Sequence, residues 1–258
     1  MCAAIPILLL LTLPIGALVA STTPSGIAHA LKDPMFAPAL LLSVQTSLVG
    51  LILTVLMGTP LAWVIAASSK KTQRLLSLIV DLPIVLPPAV VGISLLYVLG
   101  IKGFLGQHLH YFGLSIPFSS AAVVLAQVSV SSPFYIQAAQ NAFKRINPEL
   151  ILMAQTLGYS PFKVFLKVIL PLSAPGLISG AAMALARSLG EFGATLLFAG
   201  NLPGTTQTVP LAIYTALESD IEVAMAFSLF LVICTIVLLA VLKSSHHFND
   251  LLYKEKQS

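Results

Sequence analysis

The side chains equipped for chemistry are few. Arg187 and Glu191 stand four residues apart in an otherwise apolar and small-residue segment, a spacing that puts both on one face of a helix. Two readings follow: a structural pair whose charges neutralise each other, or a guanidinium that lends positive potential to a passage for an anion, with the carboxylate keeping it from becoming a sink. Thr195 lies one turn further on. Asp81 precedes Pro83, Pro87 and Pro88, which remove three N–H donors and free backbone carbonyls that protein or water must satisfy. A cavity-lining segment and a kinked, protein-buried helix are both compatible with that pattern. Gln127, Ser129, Ser131 and Ser132, before Pro133, either face the same passage or bond between helices. His29, His108, His110, His246 and His247 have no third ligand at a recognisable spacing, and Cys2 and Cys234 read as small hydrophobes, so neither a metal site nor a disulfide is expected. With only Asp81, Arg187 and Glu191 charged inside the apolar stretches, the nucleophile–base pairs or carboxylate clusters of an intramembrane enzyme are missing. No Gly-Lys dipeptide occurs, hence no P-loop: any ATP hydrolysis belongs to another polypeptide.

The elements that hold these residues must be membrane helices. Of 258 residues, 57% are hydrophobic and 9% charged, and the mean hydropathy is +0.98. A water-soluble domain carries roughly 25% charged residues, so a soluble enzyme is excluded, and so is a disordered chain. The net charge of +4 rests on 13 Lys and Arg too scattered for a nucleic-acid stripe. Charge-free runs, trimmed at Pro, Gly and polar punctuation, predict six spans in one domain over residues 1–258: about 4–20, 40–67, 75–99, 119–139, 172–199 and 223–243. Residues 1–20 end in Ala17-Leu18-Val19-Ala20, as a cleavable signal would, but lack its basic start and are read as the first helix. Six spans put ten cations, Lys70, Lys71, Arg74, Lys144, Arg145, Lys163, Lys167, Lys243, Lys254 and Lys256, on one side, against Lys32 and Lys102 on the other. Both termini are therefore expected in the cytoplasm of a cell with this protein in its plasma membrane.

The longest cytoplasmic connection, about 144–171, reads as two short helices. Asn147 is an N-cap, Pro148 fits the first helical position, Glu149 complements the dipole, and Gly158 supplies a left-handed stop. Ser160 and Pro161 start a second helix, with Lys163 and Lys167 one turn apart, and the connection ends at Leu170-Pro171. Such a pair of helices either packs at the membrane surface or docks into a groove of a cytosolic partner.

Ala154 to Leu157 and Gly158, then nine residues, then Val168-Ile169-Leu170-Pro171 resemble the loop motif of ABC importer permeases. Leu152 and Met153 stand where that motif has Glu and Ala; Glu149, one turn earlier, is the nearest acid. Gly190-Glu191-Phe192-Gly193-Ala194-Thr195, the Gly200-Asn201-Leu202-Pro203-Gly204 run with Thr206-Gln207-Thr208, and Asp81 to Pro88 resemble the molybdate branch of that family, across roughly residues 40–240. The resemblance implies an all-α membrane protein of six transmembrane helices, with a type I ABC importer permease fold. It also implies that Glu149, Ala154, Leu157, Gly158, Leu170 and Pro171 belong to a coupling loop. The implied assembly is a homodimer in the lipid bilayer with two cytosolic ATPase subunits, which hold ATP and Mg, and an extracytoplasmic oxyanion-binding protein. Molybdate crosses by alternating access in that scheme; sulfate or thiosulfate and tungstate are the alternative cargoes. An ion-coupled secondary carrier is the alternative of another class, and it predicts uptake without any ATPase.

Overall fold

The computed structural model describes the backbone of residues 5–255; the side chains of residues 239 and 241–255 are not among those described. Cys2 and Lys256 lie outside the described residues, as do the side chains of Lys243, His246, His247 and Lys254. In chain order the helices are α1 (Ile5–Ser21), α2 (Pro24–Lys32), α3 (Phe36–Ala67), α4 (Lys70–Val85), α5 (Pro88–Leu99), α6 (Gly106–Tyr111), α7 (Ser120–Lys144), α8 (Pro148–Thr156) and α9 (Pro161–Val164). A π-helical turn (Phe165–Ile169) leads into α10 (Leu170–Leu189), followed by α11 (Gly193–Ala199), α12 (Val209–Ser219) and α13 (Ile221–Glu255). Among the described residues, four stretches are long and apolar enough to cross a membrane: α3, α7, the continuous run Pro161–Leu189 and Ile221–Leu238. Counting the bent pairs α1–α2 (80°) and α4–α5 (108°) as one span each gives six.

Two spans differ from the sequence pattern, each for a local reason. The helix expected over 75–99 is divided: Leu86 and Pro87 have ψ of 138° and 134°, because a residue that precedes proline is driven out of the α region. The helix expected over 172–199 begins earlier, since the π turn joins α9 to α10 without a gap, and it ends at Leu189, with α11 a separate piece. The segments read as loops before α3 and α13 contain α2 and α12; Thr23 accepts the Gly26 N–H to start α2 (3.0 Å), and Pro210 sits in the first turn of α12.

Close contacts set the register. A Cβ on Gly50 of α3 would meet Gln127 and Val128 of α7, and one on Gly58 would meet Tyr135 and Ile136, so these two helices run parallel. Gly180 of α10 faces Ala138 and Gly176 faces Ala142, so α10 runs antiparallel to α7; Cβ atoms there would come within 2.7 and 2.5 Å of those alanine Cβ atoms. Small residues at such crossings let backbones approach where lipid supplies no hydrophobic drive. α4 is also antiparallel to α7, through Ser77–Gln140 and Asp81–Gln137. Phe36 packs on Phe227 (ring centroids 5.1 Å apart), which aligns α13 with α3. Lys70, Lys144 and Lys163 thus share one end of the bundle, the basic end.

Candidate functional site

Two regions carry the residues singled out by sequence. The first lies where α10 ends. Gly190 is the C-cap of α10 (φ −90°, ψ 10°), and its near-helical backbone still brings Glu191 back alongside Arg187. The Arg187 Nη1–Glu191 Oε2 distance is 2.7 Å; the Arg187 side chain is 29% exposed and that of Glu191 1%. The other carboxylate oxygen, Oε1, accepts the Ala194 N–H at 2.8 Å. Glu191 therefore satisfies an otherwise orphaned donor in the first turn of α11 while it neutralises a guanidinium on α10. A carboxylate this deep would be costly unpaired.

Around this pair the interior is polar. Gln127 Nε2 donates to Ser47 Oγ (3.2 Å) and to the Ser188 carbonyl (3.3 Å), tying α7 to α3 and α10. Thr195 and Ser131 are both buried in protein. Asp81 is elsewhere: its Oδ1 accepts Gln137 Nε2 (2.7 Å), nearly two turns closer to the basic end of α7 than Ser131. So the structure joins Arg187 to Glu191, and Glu191 to α11, and it fastens Asp81 to α7. Of the two readings the sequence leaves open for Gln127, the structure shows the bond between helices, here joining three of them; the role of Glu191 as a cap is not legible in the sequence. Gly190 and Gly193 flanking an acid were the visible sign of a helix stop and restart. Gly92 was also missed: a Cβ there would lie 2.6 Å from the Ala194 carbonyl oxygen, so α5 and α11 touch backbone to backbone. Among the described residues, no three His, Cys, Asp or Glu side chains converge.

The second region is the basic-end connection. Asn147 Oδ1 accepts the Glu149 N–H at 3.0 Å, and Asn147 Nδ2 donates to Glu149 Oε2, so the acid is bound up in the cap of α8. α8 closes through Leu157 onto Gly158, whose φ is +82°. Ser160 Oγ accepts the Lys163 N–H to start α9. Ala154, Val164 and Ile169 turn inward. Leu152, Met153, Leu157 and Phe162 point outward, with Leu157 78% and Phe162 70% exposed. Leu170 and Pro171 lie within the continuous helix rather than at a loop end. The result is a small apolar knob, flanked by exposed Lys163 and Lys167, on a continuous helical stem.

Residues 58–251 match the family described as binding-protein-dependent transport system inner membrane component. The chain is 46% identical over 203 residues to the molybdenum transport system permease protein ModB of Mycobacterium tuberculosis, covering 79% of this chain and 77% of that one. It is 40% identical over 190 residues to ModB of Escherichia coli K12 (73% and 82% covered). It is 39% identical over 242 residues to the probable transport system permease protein NifC of Clostridium pasteurianum (93% and 85% covered). In fold it is similar to a chain of a bacterial ABC transporter that imports alginate (TM-score 0.71, 21% identity, 96% of this chain and 92% of that one). It is also similar to a chain of the MetNI methionine ABC transporter (TM-score 0.65, 17% identity, 83% and 95% covered).

Proposed function

This chain belongs to the binding-protein-dependent transport system inner membrane components, and from that premise we propose that it is the permease through which an ATP-driven importer carries molybdate across the inner membrane. The observation that carries the ion is the 46% identity to a molybdenum permease over more than three quarters of both chains. Two copies form the translocation unit, with two cytosolic ATPase subunits that hold ATP and Mg, and an extracytoplasmic binding protein that delivers the oxyanion. The basic end faces the cytoplasm: Lys70, Lys71, Arg74, Lys144, Arg145, Lys163 and Lys167 gather there, as the positive-inside rule requires.

The knob of α8 and α9 is the ATPase contact. Its outward Leu152, Met153, Leu157 and Phe162 fit helix-in-groove recognition, and Glu149 keeps α8 capped rather than reaching into the partner. Within the membrane, Arg187 meets the passing dianion. Its guanidinium is partly accessible while its counter-charge is buried, so attraction is present but moderate, and a permeant must leave as well as enter. Tetrahedral oxyanions differ little in shape, so discrimination falls to the hydrogen-bonding pocket of the binding protein.

The test is ATP hydrolysis by the reconstituted importer. Stimulation by a molybdate-loaded binding protein, and not by the same protein loaded with sulfate, is expected. Stimulation by the sulfate-loaded form alone transfers the assignment to sulfate.

A further inference from the structure

The α4–α5 break and the α10–α11 break lie at the same level of the bundle. α4 gives way to α5 at Leu86–Pro87 and α10 to α11 at Gly190–Phe192, and the restarts lie side by side: a Cβ on Gly193 would be 3.3 Å from Ala89 N and from Pro88 Cβ. With Gly92 against Ala194 as well, α5 and α11 are packed backbone to backbone and behave as one body. Apolar packing changes hands at this level. Val91, Ala126, Val130, Ala194 and Phe198 form one cluster. Tyr135, Ile136, Ala139 and Ala184 belong to another, nearer the basic end. The polar junction of Gln127, Ser47 and Ser188 lies at the level of the first cluster, with Gln127 between Ala126 and Val130 on α7.

Glu191 bridges this level with its two oxygens, one on Arg187 of α10 and one on the Ala194 N–H of α11. Behind Arg187 the helix runs back unbroken to Pro161, 29 residues in all, a rod of about 43 Å. It starts three residues after Gly158, at the knob itself. We infer that Glu191 is a positioning residue that couples the basic-end knob to the α5–α11 body: movement of the knob is carried along the rod to Arg187 and passed through the Glu191 carboxylate to α11 and α5. The inference rests on the chain's role as an ATP-driven permease and not on which oxyanion it carries. A helix rod alone would deliver motion only as far as Leu189, where its hydrogen-bond ladder stops.

Uptake and ATP hydrolysis are measured together in proteoliposomes holding the whole importer, with molybdate as the probe. Glu191→Ala removes both contacts; Glu191→Gln keeps an acceptor for the Ala194 N–H but loses the charge facing Arg187. The expected result is a rise of about 5-fold or more in ATP consumed per ion carried for Glu191→Ala, with Glu191→Gln between it and the unmodified protein. Uptake and hydrolysis falling in equal proportion, or neither falling, overturns the inference. Should Glu191→Ala fail to assemble, spin labels at the exposed Met183 of α10 and Leu202 beyond α11 read the linkage directly in Glu191→Gln. A broadened distance distribution supports the inference and an unchanged one overturns it. Absence of molybdate uptake by the unmodified importer counts against the proposed cargo, a separate failure, and the distance measurement then decides the coupling by itself.

Discussion

Replacing Gly158 separates strain inside the chain from obstruction of a partner. Its φ of +82° costs a residue with a Cβ roughly 1–2 kcal/mol. Nothing lies within 4 Å of the place a Cβ would take, so the isolated chain bears that strain and no clash. Gly158→Ala therefore measures strain, and Gly158→Leu measures the same strain plus bulk. Leu157 beside it is 78% exposed on the knob proposed to enter the ATPase. In the complex a leucine side chain is forced into a packed contact, where overfilling costs about 1–3 kcal/mol, or roughly 5- to 150-fold in affinity. The assay has two parts: thermal unfolding of the purified chain, and retention of the ATPase on the tagged chain in detergent. Both variants should destabilise the chain to the same extent, and only the leucine should shed the ATPase. A leucine variant that retains ATPase as well as the alanine variant would refute the docking geometry.

Gly180→Leu drives a side chain into Ala138 of α7, 2.7 Å from the new Cβ; a loss of about 1–3 kcal/mol in detergent unfolding is expected, with partial rescue by Ala138→Gly. Asp81→Leu breaks the bond from Gln137 and should lower stability by about 1–2 kcal/mol, whereas Asp81→Asn, which keeps an acceptor there, stays near the original in the same unfolding assay. Asn147→Ala removes the cap of α8 at about 1 kcal/mol, read as roughly fivefold faster amide exchange across Pro148–Thr156; Asn147→Asp should restore protection.

How far the sequence reveals the fold depends on the range of the interaction. The knob was readable because its determinants are neighbours: Asn147 caps Glu149, Pro148 and Pro161 open helices, and Gly158 turns left-handed, each within a few residues. Pro83, Pro87 and Pro88 are legible as three missing donors, but the division of the helix expected over 75–99 and its 108° turn are not; the turn is fitted to the contact of Gly92 with Ala194, over a hundred residues away. The pairing of Arg187 with Glu191 followed from an i, i+4 spacing although the helix stops between them, because Gly190 keeps near-helical dihedrals for one more residue. That same stop hid the second task of Glu191, the cap on α11. α12 reads as a loop in the sequence because Thr, Pro and Glu dominate its flanks; its inward Val209, Ala212 and Ala216 find partners on α13 and α3, beyond the reach of a local pattern.

The central claim is that this permease moves molybdate and does so only with its partners. Radiolabelled molybdate uptake into proteoliposomes containing the chain, its ATPase and its binding protein tests it most directly. Uptake should require ATP and all three components and persist in excess sulfate. Equal uptake without the ATPase, or its abolition by sulfate, would contradict the account.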